Sequence, residues 1–365
     1  MFGNKKSDTH IPIDGEEEIA PTPAAPTANK VPISQLFRFA GPRERAVMVV
    51  GALASIANGA MMPLWGLLMG DSVNAFVRHD IFVAKRDAHP AAFTPAIMDS
   101  LNSAFMDDVM DTVYKFLALA AASFTVAFVQ MALWQWVGKE QAERLKQAYF
   151  KALLTQEVAF FDDQKRGELT SRITADIERF QAGVGDKVGL TIFNVSTFVV
   201  GYGIGFGKNL ELMSILLCAL PLFVAAFATQ GLLTVKVSQT TIKSATNAGA
   251  VAEELFSAIR TVASFGGERR ETKRFHKISE EICTSDSKLG NIMGTGFAAV
   301  FGVMYLSYAL LLWYGSRMLA DGKIPVGTIV TLFSCYFYGS LALGQSAPYI
   351  GEFVQAQIAA YEIFK

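Results

Sequence analysis

Charge is scarce in this chain. Of 365 residues, 18% are Asp, Glu, Lys or Arg and 52% are hydrophobic, whereas soluble domains are roughly a quarter charged. An ordinary water-soluble globule is therefore excluded. The formal net charge of −1 provides no electrostatic footprint, so nucleic acid is not expected as a partner. The three cysteines, Cys218, Cys283 and Cys335, have no paired spacing. They predict neither a disulfide framework nor a metal site. The four histidines (His10, His79, His89 and His276) are equally scattered, and no set of residues marks a catalytic centre.

Apolar runs are what the chain has in abundance. Six segments, at about 46–77, 113–137, 188–206, 212–235, 290–319 and 324–349, approach or exceed the ~20 residues that cross a hydrocarbon core. Away from their ends these segments hold no Asp, Glu, Lys, Arg or His; Asp71 and Lys115 sit toward outer ends. Ion-coupled carriers and charged-filter channels need ionisable groups at depth. Those classes are disfavoured, and a drive from outside the membrane is expected instead.

The first 31 residues are polar, acidic at Glu16–Glu18 and proline-rich, and read as a disordered tail. No apolar core follows a basic start, so this is not a secretory signal. Residues 32–45, with Leu36, Phe37 and Phe39 against Arg38, Arg43 and Arg45, fit an amphipathic interfacial helix or a plain linker.

The connections differ sharply in length. Spans three and four, and five and six, are joined by short links, while 139–187 and 236–288 each carry nine Lys/Arg. The loop 78–111 carries three against six acids. Positive-inside bias puts the N-terminus and both long connections in the cytosol.

Those long connections read as helical hairpins. Ala142, Leu145, Tyr149 and Ala152 fall at helical spacing, and Glu140 precedes Arg144 by four residues. The first hairpin turns at FFDDQKRGEL, with Phe160 and Phe161 before the turn and Gly167 within it. The second returns with Phe275, Ile278 and Ile282 on one face. Its tip, Ala258–Phe265 followed by Gly266-Gly267, predicts a short helix closed by a left-handed glycine cap. Two readings fit this tip: a knob that docks into another protein, or the end of a hairpin that packs on itself.

Within the spans, Gly201, Gly203, Gly205 and Gly207 lie in an apolar helix with no preceding strand, which predicts close helix packing rather than a nucleotide loop. Pro63, Pro221 and Pro348 are expected to kink their helices, as gates or as static bends. Asn194-Val195-Ser196 matches a glycosylation pattern but falls inside span three.

Several stretches resemble the transmembrane domain of ATP-binding-cassette exporters, on their multidrug, P-glycoprotein-like branch. They are Phe161-Asp162 with GELTSRITADIERFQAGVGDKVG, then AGAVAEELFSAIRTVASFGGE, SYALLLWYG, and LGQSAPYI with the closing AAYEIFK. Gly59–Gly70 extends the likeness to span one. The tail, residues 32–45 and the loop 78–111 match only in position. The resemblance implies an all-α membrane protein of the type I exporter class: an elbow helix at 32–45, six spans over 46–350 with hairpins at about 139–187 and 236–289, and a linker beginning at 351–365. It implies that Phe161, Asp162 and Gly167, and Ala258, Arg260, Thr261 and Phe265, belong to two coupling helices. Each would seat in a nucleotide-binding domain, and a second transmembrane half would complete the pump.

It further implies a substrate cavity lined by Met62, Trp65 and Met69 of span one, Tyr305 and Tyr308 of span five, and Phe337, Tyr338, Leu341 and Gln345 of span six. Ser334 and Cys335 would give a smaller, more polar lower wall. Such walls suit amphipathic organic molecules; helix packing or lipid contact is the competing reading of each residue. The implied function is ATP-driven export of hydrophobic compounds by a multi-pass protein of the plasma membrane, with an internal membrane as the alternative. A lipid or peptide exporter of the same architecture, or a membrane interaction module, are the alternatives. No G-x-x-x-x-G-K-[ST] occurs, and Gly207-Lys208 is followed by Asn209. ATP and Mg would therefore bind domains absent from this chain, which by this reading is a fragment, a truncated product or one part of a split transporter. Alone it should not hydrolyse ATP.

Overall fold

The computed structural model describes residues 31–88, 94–157 and 172–364. The expected tail up to residue 30, and the first coupling element with Phe161, Asp162 and Gly167, lie outside those residues. The described elements are helices: α1 (Ile33–Leu36), α2 (Pro42–Ala88), α3 (Pro95–Leu154), α4 (Ile177–Val184), α5 (Asp186–Lys208), α6 (Leu210–Leu217), α7 (Leu220–Ser257), α8 (Ile259–Ser264), α9 (Glu268–Ala320) and α10 (Val326–Phe364). A π-helical turn, Arg172–Asp176, precedes α4. Six helical stretches among them are long and apolar enough to cross a membrane. At 1.5 Å per residue the 60 residues of α3 reach about 90 Å, so this helix far outruns a bilayer.

The amphipathic helix expected at 32–45 does not form as one element. It is a single turn, α1, after which Gly41 and Pro42 start α2 and carry Arg43 and Arg45 into the first span. Proline fits only the first turn of a helix and disfavours helical backbone just before it. The apolar side of α1 is also covered by protein: Leu36 is fully buried with Leu145, Phe180, Val184, Ala360 and Ile363. The residues from 351, expected as a linker, continue α10 to Phe364. Arg144 holds this corner together, donating to Glu44 at 2.5 Å, to Glu140 at 3.2 Å and to the Phe39 carbonyl at 3.2 Å. The i,i+4 pair with Glu140 is the one the spacing predicts; Glu44, a hundred residues away, is a tertiary partner.

The first hairpin's return arm and span four are each interrupted where the sequence reads as continuous helix. The return of the first hairpin stops at Gly185 (ψ −121°), which divides α4 from α5. Gly185 lies directly against Gly138 of α3. Span four breaks at Cys218 and Ala219, so Pro221 falls in the first turn of α7 rather than kinking a helix mid-span. Pro63 and Pro348 do lie inside α2 and α10. Asn209 alone separates α5 from α6; its Oδ1 accepts from the Leu212 N–H at 2.8 Å, satisfying one of the unpaired donors at a helix start.

Helices α2, α5 and α10 pack on one another, α3 lies against α2, and α7 pairs with α9. Small residues line the first set of seams. Gly66 faces Ser334, Gly70 faces Thr331 and the Gly327 backbone, and a β-carbon on Gly59 would stand 2.5 Å from the Phe193 carbonyl. Of the four spaced glycines in α5, Gly201 meets the Cys335 carbonyl and Gly205 meets Met213, whereas Gly203 and Gly207 face open space. Polar ties run beside these seams: Asn58 donates to Gln130 at 2.8 Å, Trp134 to Ser55 at 3.2 Å, and Gly327 N–H to Asn74 at 2.7 Å. In lipid such bonds each contribute about 0.6–2 kcal/mol. Asn194 and Ser196 are buried in this packing, so the glycosylation pattern is a helix contact.

Candidate functional site

Helix α2 has two unlike faces. Gly59, Pro63, Gly66 and Gly70 are buried against α5 and α10, and Met62, Trp65 and Met69 remain exposed along the flank of that packed stripe. From Trp65 a run of rings crosses the bundle. Trp65 meets Tyr338 edge-on with centroids 6.0 Å apart, and Tyr338 touches Phe337 at 5.3 Å. Phe337 stacks on Phe333 at 6.0 Å, and Phe333 meets Tyr308 of α9 at 4.7 Å.

The structure thus joins Trp65, Tyr308, Phe337 and Tyr338 in one wall spanning α2, α10 and α9. Met62, Met69 and Tyr305 stand exposed beside it. Leu341 is half-buried and Gln345 exposed, one and two turns along α10 from Phe337. Ser334 and Cys335 form no lower wall: both are buried, one against Gly66 and the other beside Gly201. Sequence reasoning missed Phe333, although it precedes Phe337 by four residues and therefore shares its face. A wall of rings presents flat apolar area and negative π-faces, which suit planar and cationic organic molecules.

The second element is the tip of the α7–α9 hairpin. Ala258 ends α7 and opens the six-residue α8, which carries Arg260 and Thr261. Gly266 has φ +57°; its N–H donates to the Ala263 carbonyl at 3.3 Å and that of Gly267 to Val262 at 2.9 Å. This double bond pattern closes a helix with a left-handed residue, which glycine adopts without steric cost. The same motif at Gly322 (φ +71°) closes α9. The cap leaves Phe265 86% exposed, with Phe256 and Ile259 exposed beside it. Phe256 was not singled out from the sequence, because it reads as one more apolar residue of α7. Behind the tip, Arg274 donates to Glu254 across the two arms at 3.4 Å. A crevice of 230 Å³ between the arms is lined by Ser244, Asn247, Glu254, Ile278 and Glu281.

Gly207-Lys208 ends α5, and a helix C-terminus repels phosphate where an N-terminus would attract it. Lys208 also lies 3.9 Å from Asp71.

Comparison with known proteins gives a family. Residues 48–341 match the family described as ABC transporter transmembrane region. The chain is 31% identical over 344 residues to ABC transporter B family member 2 of Dictyostelium discoideum, covering 92% of this chain and 23% of that protein. It is 29% identical over 357 residues to multidrug resistance protein pgp-1 of Caenorhabditis elegans, covering 98% and 27%. It is 29% identical over 355 residues to ABC multidrug transporter atrD of Emericella nidulans, covering 97% and 25%. The chain thus spans about a quarter of the length of these relatives. Six membrane-length helices and a match over most of the chain make it an integral multi-pass membrane protein and a transporter transmembrane domain. The chain belongs to the ABC transporter transmembrane-region family.

Proposed function

We propose that this chain is the first transmembrane half of an ATP-driven exporter of hydrophobic and amphipathic compounds, working by alternating access. The observation that carries this reading is Phe265, 86% exposed on a rigidly capped short helix at the end of two long arms. An aromatic held in water at the tip of a helical rod costs solvation unless a partner covers it, and burying it yields about 1.5–3 kcal/mol. The partner is a nucleotide-binding domain, with ATP and Mg bound there and not here; Phe256, Ile259, Arg260 and Thr261 complete the docking face. The arms and the N-terminus lie in the cytosol, in keeping with the nine Lys/Arg of each long connection, and the assembly resides in the plasma membrane. Met62, Trp65, Met69, Tyr305, Tyr308, Phe337, Tyr338, Leu341 and Gln345 line the substrate path, shared with a second transmembrane half. Nucleotide closure draws the arms together, which shifts the population from one access state to the other. Relatives whose names describe multidrug transport support the substrate class.

The test uses the full-length transporter in inside-out vesicles. Phe265→Asp is expected to abolish ATP-dependent uptake of a hydrophobic cation while leaving the amount of folded protein unchanged. Undiminished uptake would remove the knob from the mechanism. Uptake of phospholipid in place of the cation would reassign the substrate class.

A further inference from the structure

Between Tyr305 and Tyr308 on α9 lies Ser307, which is buried, unlike its two exposed neighbours. Its Oγ is 2.8 Å from the Val303 carbonyl and 3.1 Å from the Tyr336 hydroxyl of α10. A serine hydroxyl has one proton. Donated to the Val303 carbonyl, it leaves Ser307 Oγ to accept from Tyr336. Four residues along α10, on the same face, Ser340 lies 3.0 Å from the Tyr202 hydroxyl of α5. Tyr336 is 1% exposed, and Ser340 is fully buried. Two phenol–serine bonds therefore tie one face of α10 to α9 and to α5 in the buried interior.

The seam between α9 and α10 is short, and α9 packs mainly on α7. Leu311 and Met318 of α9 pack in the core beside Leu212, Met213 and Leu332, but apolar contacts are non-directional and resist a small rotation of α9 about its axis only weakly. A hydrogen bond at one azimuth resists it, because turning α9 moves Ser307 out of reach of Tyr336. The same turn would carry Tyr308 off Phe333, where the rings now meet at 4.7 Å.

We propose that Tyr336, through its bond to Ser307, is a positioning residue that fixes the rotation of α9 and so sets the substrate preference of the aromatic wall. Tyr336 does not touch substrate; it decides which way Tyr305 and Tyr308 face. The inference rests on the exporter reading for its effect on substrates, while its effect on the rotation of α9 stands apart from that reading.

The experiment therefore has two arms, both on the full-length transporter. In the first, Tyr305→Cys is introduced with Cys218 and Cys283 changed to Ser, and the new thiol is labelled with a membrane-permeant maleimide. Tyr336→Phe is expected to change its labelling rate at least about threefold. Ser307→Ala is expected to match it, with no further change in the double variant, while Ser307→Thr keeps the original rate. In the second arm, KM and kcat of drug-stimulated ATP hydrolysis are compared for a planar aromatic cation and a purely aliphatic amphiphile. Tyr336→Phe is expected to raise KM for the aromatic compound about three- to tenfold, leaving kcat and the aliphatic KM in place. Unchanged labelling in Tyr336→Phe overturns the pin. Changed labelling with both KM values unmoved overturns the role in substrate preference and leaves the exporter reading intact. Absence of stimulation by either compound in the unmodified transporter overturns the exporter reading, with the labelling arm still deciding the pin.

Discussion

Helices α3 and α10 are both strongly apolar, and their fates are opposite. In the most apolar stretch of α3 only 6% of residues are buried; in that of α10 the share is 61%. Apolarity does not explain the difference, since the apolar stretch of α3 has the higher mean hydropathy of the two. Glycine does. Between Pro95 and Val137, α3 has none, while α10 has Gly327, Gly339 and Gly344, each against a neighbouring helix. Lipid tails solvate leucine and phenylalanine as well as a protein interior does, so helices associate where small residues allow close backbone approach. Outside the membrane-length stretch the rule reverses. There α3 buries Ala142 and Leu145 against Phe180 and Val184, because water, not lipid, is the alternative.

The contrast can be broken by substitution. The largest effect is expected where water is the competing solvent: Phe180→Ala, at a fully buried ring, should cost about 3–5 kcal/mol, read as lost folded protein in a detergent unfolding titration. Next comes overpacking of a glycine seam. Gly66→Leu drives a side chain into Ser334, and a loss of about 3 kcal/mol is expected; a stable, monodisperse variant would show that the seam gives way freely.

A sharper pair sits two residues apart on α5. A β-carbon at Gly201 would lie 3.0 Å from the Cys335 carbonyl, whereas at Gly203 it meets nothing within 4 Å. Gly201→Ala should therefore destabilise by about 1 kcal/mol, and Gly203→Ala should be neutral or stabilise by up to about 1 kcal/mol through helix propensity. Equal thermal shifts for the two would contradict the packing assigned to α5. The smallest effect belongs to the lipid face: Phe124→Ala on α3, at a ring 78% exposed, should stay within about 0.5 kcal/mol. A large loss there would mean that protein, not lipid, covers α3.

Much of this was legible in the sequence. The apolar lengths predicted six spans, the charge counts singled out two long hairpins, and Gly266-Gly267 announced the cap that closes α8. Ala142 and Leu145 fell on the face that is buried. Other features were not legible. The glycine pattern of α5 pointed to close packing at four positions but could not say that Gly203 and Gly207 lack neighbours. Pro221 reads as a kink until Cys218 and Ala219 break the helix before it. Met62, Trp65 and Met69 were visible as one stripe, yet only the fold brings Trp65 to Tyr338 and Phe333 to Tyr308.

The sequence by itself determined how often the chain meets the membrane and where it leaves, because transfer between water and lipid is a local property of about twenty residues. It also determined the caps, which depend on one or two residues and their own backbone. Only the tertiary structure decided which side of each span packs on the rest of the chain and which faces outward. Both sides are nearly equal in apolarity, so the choice is made by shape: a glycine, a serine or a phenol brought opposite one another from distant parts of the chain.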